Sequence, residues 1–411
     1  MRDLPRQTLL EIFQAALDAV NGRRCVATAL ASRRLPSPVY LIAIGKAACP
    51  MARGALDAIG SEIRDALIVT KYGYAEPLPW PVLEAGHPVP DANSLAAGAA
   101  LQRFIETMPS TATVLVLFSG GASALAEQLP PGADLGTLKR VNEWLLASGR
   151  DIVAMNRVRK RISLIKGGRL AHRLSPRRVL CLAISDVPND DPRFIGSGPL
   201  VADDTIEREP IDDAPAVVRD ALLGVTAPPR ADDSCFANIE FEIITRLADA
   251  KNAAAAAALA RGLRATVHSE LVAGDAVAAG KELARALLAA DPGVLQVWGG
   301  ESTVRLPPTP GRGGRAQHLA LAAAQVLAGH DDVLLLAAGT DGSDGPTSDA
   351  GALVDGHTIE RGTHAGLNVD AALANADAGS FLEASDDLVQ TGPTGTNVMD
   401  LMLGLRVNGD A

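Results

Sequence analysis

The chain is punctuated by short, mostly apolar runs without alternation, each closing on small or polar residues before a helical period begins. Six stand out: VYLIAI at 39–44, ALIVT at 66–70, VLVLF at 114–118, VLCLAI at 179–184, VLQVW at 294–298 and VLLLAA at 333–338. Apolar runs without alternation belong to strands buried on both faces, which predicts mainly parallel sheets flanked by helices. Segments 47–59, 94–107 and 315–327 supply helical patterns between them. The fold class expected is therefore α/β. Ligands of such sheets gather where the strands end. The turns to inspect are those at 45–47, 71–73, 119–121, 185–186, 299–301 and 339–341.

At 411 residues the chain exceeds what one hydrophobic core usually serves, so two domains are expected. The best linker-like stretch lies between 200 and 235, where VADDTIEREPIDDAPAV and TAPPRADDS turn acidic and proline-rich. This places the division near 238, giving domains 1–238 and 239–411. Aromatic residues make up only 3% of the chain, so its cores must be built from Ala, Leu, Val and Ile.

A net charge of −10 argues against a nucleic-acid partner, which would call for a basic face. Cys25, Cys49, Cys181 and Cys235 show no metal-site or disulfide spacing. The first twenty residues read as an amphipathic helix rather than a signal peptide, and no segment is long and apolar enough to cross a bilayer. A cytoplasmic protein with no membrane partner is expected. A homodimer stays open.

Phosphoryl transfer needs donors for phosphate oxygens, cations for developing charge and an oriented hydroxyl. FSGGASAL at 118–125 offers the first: Ser119, Gly120, Gly121 and Ser123 lie between strand and helix, where backbone N–H groups can receive an anion. Lys46 follows a strand directly and would stand at the sheet's edge; a merely exposed lysine is the plainer reading. The basic segment at 157–170 reads either as a solvated helix face or as a surface for anionic ligands, with Asn156, Arg159 and Lys160 as candidate substrate contacts. Asp186, Asp341 and Asp344 put carboxylates beside strand ends, and Mg²⁺ prefers such oxygens.

Three near-matches are set aside. GTDGSDG lacks the terminal glutamate of a calcium loop. GDAVAAGKE at 274–282 has one residue too many for a Walker A loop, and GRGGRA at 311–316 follows PPTP rather than a strand, the wrong setting for dinucleotide binding.

Taken together, AIGKAA at 43–48, AGHPVPDANS at 85–94, FSGGASAL, KGGRLA at 166–171, SDVPNDD at 185–191 and GSGP at 196–199 resemble the N-terminal domain of glycerate 2-kinases. WGGESTV, GRGGRAQ, GTDGSDGPTSDAGA and TGPTGTNVMDL resemble their C-terminal MOFRL domain. The resemblance implies a two-domain kinase, with a Rossmann-like three-layer N-terminal domain and a MOFRL α/β domain. Its active site would lie in the cleft and use ATP, Mg²⁺ and glycerate. It places catalytic roles on Lys46, Arg315, Asp186 and Asp341, with Lys46 and Arg315 also touching substrate. Phosphates would rest on 119–123 and on the C-terminal turns with Gly299, Gly300, Glu301 and Thr340; either Asp186 or Asp341 would hold Mg²⁺ while the other orients the hydroxyl, Asp341 with its neighbour Asp344 being the favoured metal pair. The chain departs from the family at Ala316 and His318, where Asn and Glu are usual. A nicotinamide-dependent hydroxypyruvate reductase is the alternative enzyme, and a non-catalytic sensor of sugar acids or nucleotides the alternative class.

Overall fold

The computed structural model describes residues 3–147, 152–206, 214–223 and 225–407. It divides into two units, Gly22–Ile244 and Met1–Asn21 with Thr245–Ala411. The α/β architecture expected from the apolar runs is present in each.

The first unit holds six strands: β1 (Val39–Ile44), β2 (Ile63–Lys71), β3 (Val82–Ala85), β4 (Thr113–Phe118), β5 (Arg178–Ile184) and β6 (Ile239–Thr245). They lie in the order β3-β2-β1-β4-β5-β6, and the four pairings from β3 across to β5 are parallel. Successive strands depart from β1 in one direction and from β4 in the other. The point of reversal lies between β1 and β4, the place where open α/β sheets hold their ligands. Ile44 stands opposite both Val69 and Phe118, so the turns that follow β1 and β4 leave the sheet side by side. Both faces are buried. Ile42, Ile44, Val114 and Val116 pack with Ala97, Leu101 and Ile105 of the helix Ala92–Thr107, and the helix Ala48–Ile59 packs against β1, β2 and β4. A separate helical cluster joins Leu138, Val141, Met155, Val158, Ile162 and Val218.

The division differs in two ways from the one expected at 238. Residues 239–244 extend the first sheet as its sixth strand, beginning where Val179 N–H donates to Asn238 O. The N-terminal helix Asp3–Ala19 belongs to the second unit, where it packs on the helix Leu247–Leu259 and Arg6 pairs with Asp355 and Asp387. The acidic stretch read as a linker lies inside the first unit. Residues 207–213 and 224 of that stretch are outside the described residues, and the helix Ala216–Leu223 joins the helical cluster.

The second unit's strands are β7 (Arg264–Val272), β8 (Val294–Gly300), β9 (Val333–Gly339), β10 (Gly351–Asp355), β11 (Leu388–Val389) and β12 (Asp400–Arg406). Their order is β11-β10-β9-β12-β8-β7. The pairings make β7, β8, β9 and β11 run one way, and β10 and β12 the other. β12 therefore begins where β8 and β9 end, and Asp400 stands opposite both Gly300 and Gly339. No described helix is long and apolar enough to cross a membrane.

Two helices of this unit, Ala276–Ala289 and Arg315–Leu327, pack through a glycine: a Cβ on Gly280 would lie 2.2 Å from Leu319 O. Overpacked contacts of this kind cost about 1–3 kcal/mol. Gly280→Ala should lower the unfolding free energy by about that amount in urea titrations. An unchanged midpoint would mean that the helices separate freely.

Candidate active site

In the first unit, two turns are stitched together at the reversal point. Lys46 N–H donates to Gly120 O at 2.9 Å, Ser119 N–H donates to Ile44 O at 3.2 Å, and the buried Ser119 hydroxyl accepts Ala47 N–H at 3.0 Å. Gly45, at φ +142°, has no room for a side chain, since its Cβ would stand 2.1 Å from Ser119 Oγ. The half-buried Lys46 side chain runs past Gly121, whose Cβ position lies 3.4 Å from Lys46 Cγ and 3.0 Å from His87 Cδ2. Lys46, Ser119, Gly120 and Gly121 are thus brought together, with His87 as a neighbour that sequence reasoning did not single out. Ser123 Oγ lies 2.8 Å from Ser197 Oγ, which ties the turn to GSGP. Asp186 is half-buried at the end of β5, next to the buried Ser185, whose hydroxyl has no hydrogen-bond partner among the described residues.

Much of the basic segment is folded inward on partners of its own. Lys160 is buried and its ammonium donates to Asp203 at 2.5 Å and to Arg193 O at 2.8 Å. Lys166 is buried against Glu127. Arg159 donates to Asn142 and Asn156 side chains at 2.9 and 3.2 Å. Buried acids thus take up the charge of Lys160 and Lys166 that looked available in sequence, since a buried ammonium is costly without a partner.

In the second unit, Arg315 opens its helix and is surrounded by carboxylates. Its guanidinium is bidentate to Asp400, at 2.9 and 3.3 Å, and also bonds Glu301. Burial opposes the charge, but Asp400 and Glu301 outweigh it and hold the guanidinium pKa well above its usual value. Asp400 was not singled out from sequence. It sits at the start of a strand rather than at an end, and an antiparallel neighbour brings its amino end to the same edge.

Asp341 is buried, and its Oδ1 accepts Ser343 N–H at 2.9 Å. Asp341 Oδ1 and Asp400 Oδ1 lie 3.3 and 3.5 Å from the point a Cβ on Gly339 would occupy, so both carboxylates face one small volume above the strand end. Asp344 is engaged differently. Its oxygens accept Ala316 N–H at 3.1 Å and Gln317 N–H at 2.8 Å, capping the helix from a separate loop. Thr340 is likewise engaged: its hydroxyl donates to Met399 O at 2.6 Å and accepts Val398 N–H at 2.8 Å. Gly300, at φ +151°, allows close approach to Val272 O. Ala316 and His318 are buried in the helix, and burial lowers the His318 pKa, favouring the neutral ring. GRGGRA follows no strand directly, and its glycines answer to packing: a Cβ on Gly311 or Gly314 would strike Asp377 or Asp344.

Residues 8–230 match a family described as a domain of unknown function, DUF4147, and residues 294–400 match the MOFRL family. Over 98% of this chain and 98% of the relative, the sequence is 36% identical to the D-glycerate 2-kinase of Thermotoga maritima. The chain belongs to the MOFRL-domain glycerate kinase family. The crystal structure of a Thermotoga maritima glycerate kinase matches this family member with a TM-score of 0.83 at 35% identity, covering 98% of this chain and 99% of that one. A relative from Agrobacterium vitis, 39% identical over 88% of this chain and 97% of its own length, bears the name hydroxypyruvate reductase.

The cap gives this glycerate kinase family member a pH signature. Burial, then Asp400, pushes the Asp344 carboxyl up from 3.8 to about 7. The folded chain thus keeps a proton that the unfolded chain has lost, so this contribution to stability is full below the unfolded value and fades as pH rises through about 7. Relative to Asp344→Asn, the parent should lose on the order of 2–4 kcal/mol between about pH 4 and about pH 8. Urea unfolding of both proteins at each pH measures this, and a constant difference would contradict it.

Proposed function

We propose that this chain is an ATP-dependent D-glycerate 2-kinase, transferring the γ-phosphoryl of ATP to the 2-hydroxyl of D-glycerate to give 2-phosphoglycerate. The observation that carries the reading is the full-length likeness to a D-glycerate 2-kinase, combined with a lysine and an arginine each fixed at a sheet edge. The roles are assigned edge by edge. At the first, Gly120 and Gly121 N–H groups receive phosphate oxygens, and Lys46 offsets charge on the group in transfer. Asp186 orients the 2-hydroxyl and accepts its proton. At the second, Arg315 presents a planar fork suited to a phosphoryl or carboxylate group, and Asp400 acts as its positioning residue.

A hard cation fits the second edge. Among the described residues no group of three or more His, Cys, Asp or Glu side chains is arranged to hold a metal. Mg²⁺ arriving with nucleotide needs only one or two carboxylates, because phosphates and waters complete its shell. Asp341 is the residue that would hold it, where it would neutralise phosphate charge; Asp344, engaged as a helix cap, would not.

A reductase reading finds no support in GRGGRA, which is separated from the end of β8 by residues 301–310 and so forms no tight strand-to-helix turn. Incubation with MgATP and D-glycerate, followed by phosphorus NMR, tests the proposal: 2-phosphoglycerate is expected. Its absence, with NADH consumed on adding hydroxypyruvate, would replace the kinase by the reductase.

Lys46→Ala should lower kcat by about two orders of magnitude or more with an unchanged melting curve. Arg315→Lys should also be poor, since a point charge does not replace a bidentate fork. Near-normal turnover in either variant would remove that residue from the site. A Mg²⁺ titration of initial rate separates the aspartates. Asp341→Asn should need more Mg²⁺ for half-maximal rate, while Asp186→Asn should lose kcat at unchanged Mg²⁺ dependence. The reverse pattern would exchange their roles.

A further inference from the structure

The first unit contains a cavity of about 450 Å³ that includes none of the residues assigned above. Its wall carries Arg169, His172, Arg173 and Arg230, and the one carboxylate among the lining residues is Asp233. That carboxylate already accepts Arg230 N–H at 2.6 Å. Three arginines lining one cavity are unusual in a chain of net charge −10, where carboxylates outnumber cations.

Arg169 is the telling member. It is 94% buried by its 6% exposure, yet the described residues give it no carboxylate partner. Its guanidinium donates to the carbonyls of Lys160 and Thr226, each at 2.9 Å, and of Lys166 at 3.3 Å, and its Nε has no hydrogen-bond partner. Neighbouring Lys160 and Lys166 are each matched to a buried acid, so the fold neutralises its other buried cations here and leaves this one to carbonyl oxygens. Burial, with Arg161 and Arg173 adding repulsion against the pull of Glu127, lowers the Arg169 pKa to about 10. Buried cations are tolerated when paired, and an anion in the cavity would supply the pairing that the protein does not. Arginine forks favour phosphate over a monovalent ion, since they bond its oxygens two at a time.

We infer that the cavity bounded by Arg169, Arg173 and Arg230 is a binding site for a small phosphate-bearing anion, separate from the turn beside Lys46. The inference does not depend on the kinase reading. Arg173 and Arg230 are the groups that reach the anion from the half-buried and exposed walls, and Arg169 supplies positive potential from beneath.

The test is calorimetric titration of inorganic pyrophosphate into the full chain, into Lys46→Ala and into the double variant Arg173→Gln with Arg230→Gln. Binding is expected in the parent and in Lys46→Ala, and a loss of at least about tenfold in affinity in the double variant, two charge-assisted contacts having gone. Should the double variant melt early, the exposed Arg230→Gln alone is expected to weaken binding several-fold. Three results would overturn the inference: no binding by the parent, unchanged affinity in both the double variant and Arg230→Gln, or loss of binding in Lys46→Ala, which would place the anion at the other turn.

Discussion

Arg315 occupies the first turn of its helix, the end at which the backbone's partial positive charge opposes a cation. Its position there depends on carboxylates from other segments. Asp400 at the start of β12 holds the guanidinium in two hydrogen bonds, Glu301 after β8 adds a third contact, and Asp344 takes up the helix N–H groups that would otherwise repel it. The consequence is a fork held rigidly in a partly buried place, with part of its charge already balanced. An incoming anionic group would compete with the more exposed Glu301 rather than with Asp400, whose side chain is 4% exposed against 43% for Glu301. On the proposed function the pair would separate two duties, one carboxylate for placement and one that yields.

Sheet topology explains how these groups meet. β12 runs against β8 and β9, so its first residue arrives at the edge where theirs leave, and Asp400 is drawn into register with Gly300 and Gly339. The glycines there permit the approach: Gly339 leaves room for Ser343 O, which would lie 2.8 Å from a Cβ, and Gly314 for Asp344. In the other unit the same economy of space appears at Gly45, where the β1 turn closes against Ser119. Both edges therefore rely on backbone contacts too tight for a Cβ, which is why small residues cluster in these turns.

Much of this was legible beforehand. The mostly apolar runs without alternation identify the buried strands, because strands covered on both faces have no polar side to show. The turn residues Lys46, Ser119, Gly120 and Gly121 do meet, because parallel neighbours end at one edge. What stayed hidden had definite causes. Lys160 and Asp344 looked available because sequence does not reveal partners far along the chain, Asp203 for the one and the helix N–H groups of Ala316 and Gln317 for the other. Asp400, within TGPTGTNVMDL, carries no such signal, because strand direction is not written in an apolar run. The first helix looked like part of the N-terminal domain, and only tertiary packing on the helix Leu247–Leu259 assigns it to the second unit.

The central claim is that Arg315 does its work in the position Asp400 gives it, and a double-mutant cycle on kcat/KM for MgATP-dependent glycerate phosphorylation addresses it directly. Asp400→Asn should lower kcat/KM in the parent, yet cause little further loss in an Arg315→Ala background, because its effect passes through the guanidinium. Losses that simply add would contradict this, and would mean that Asp400 acts on substrate or metal without Arg315.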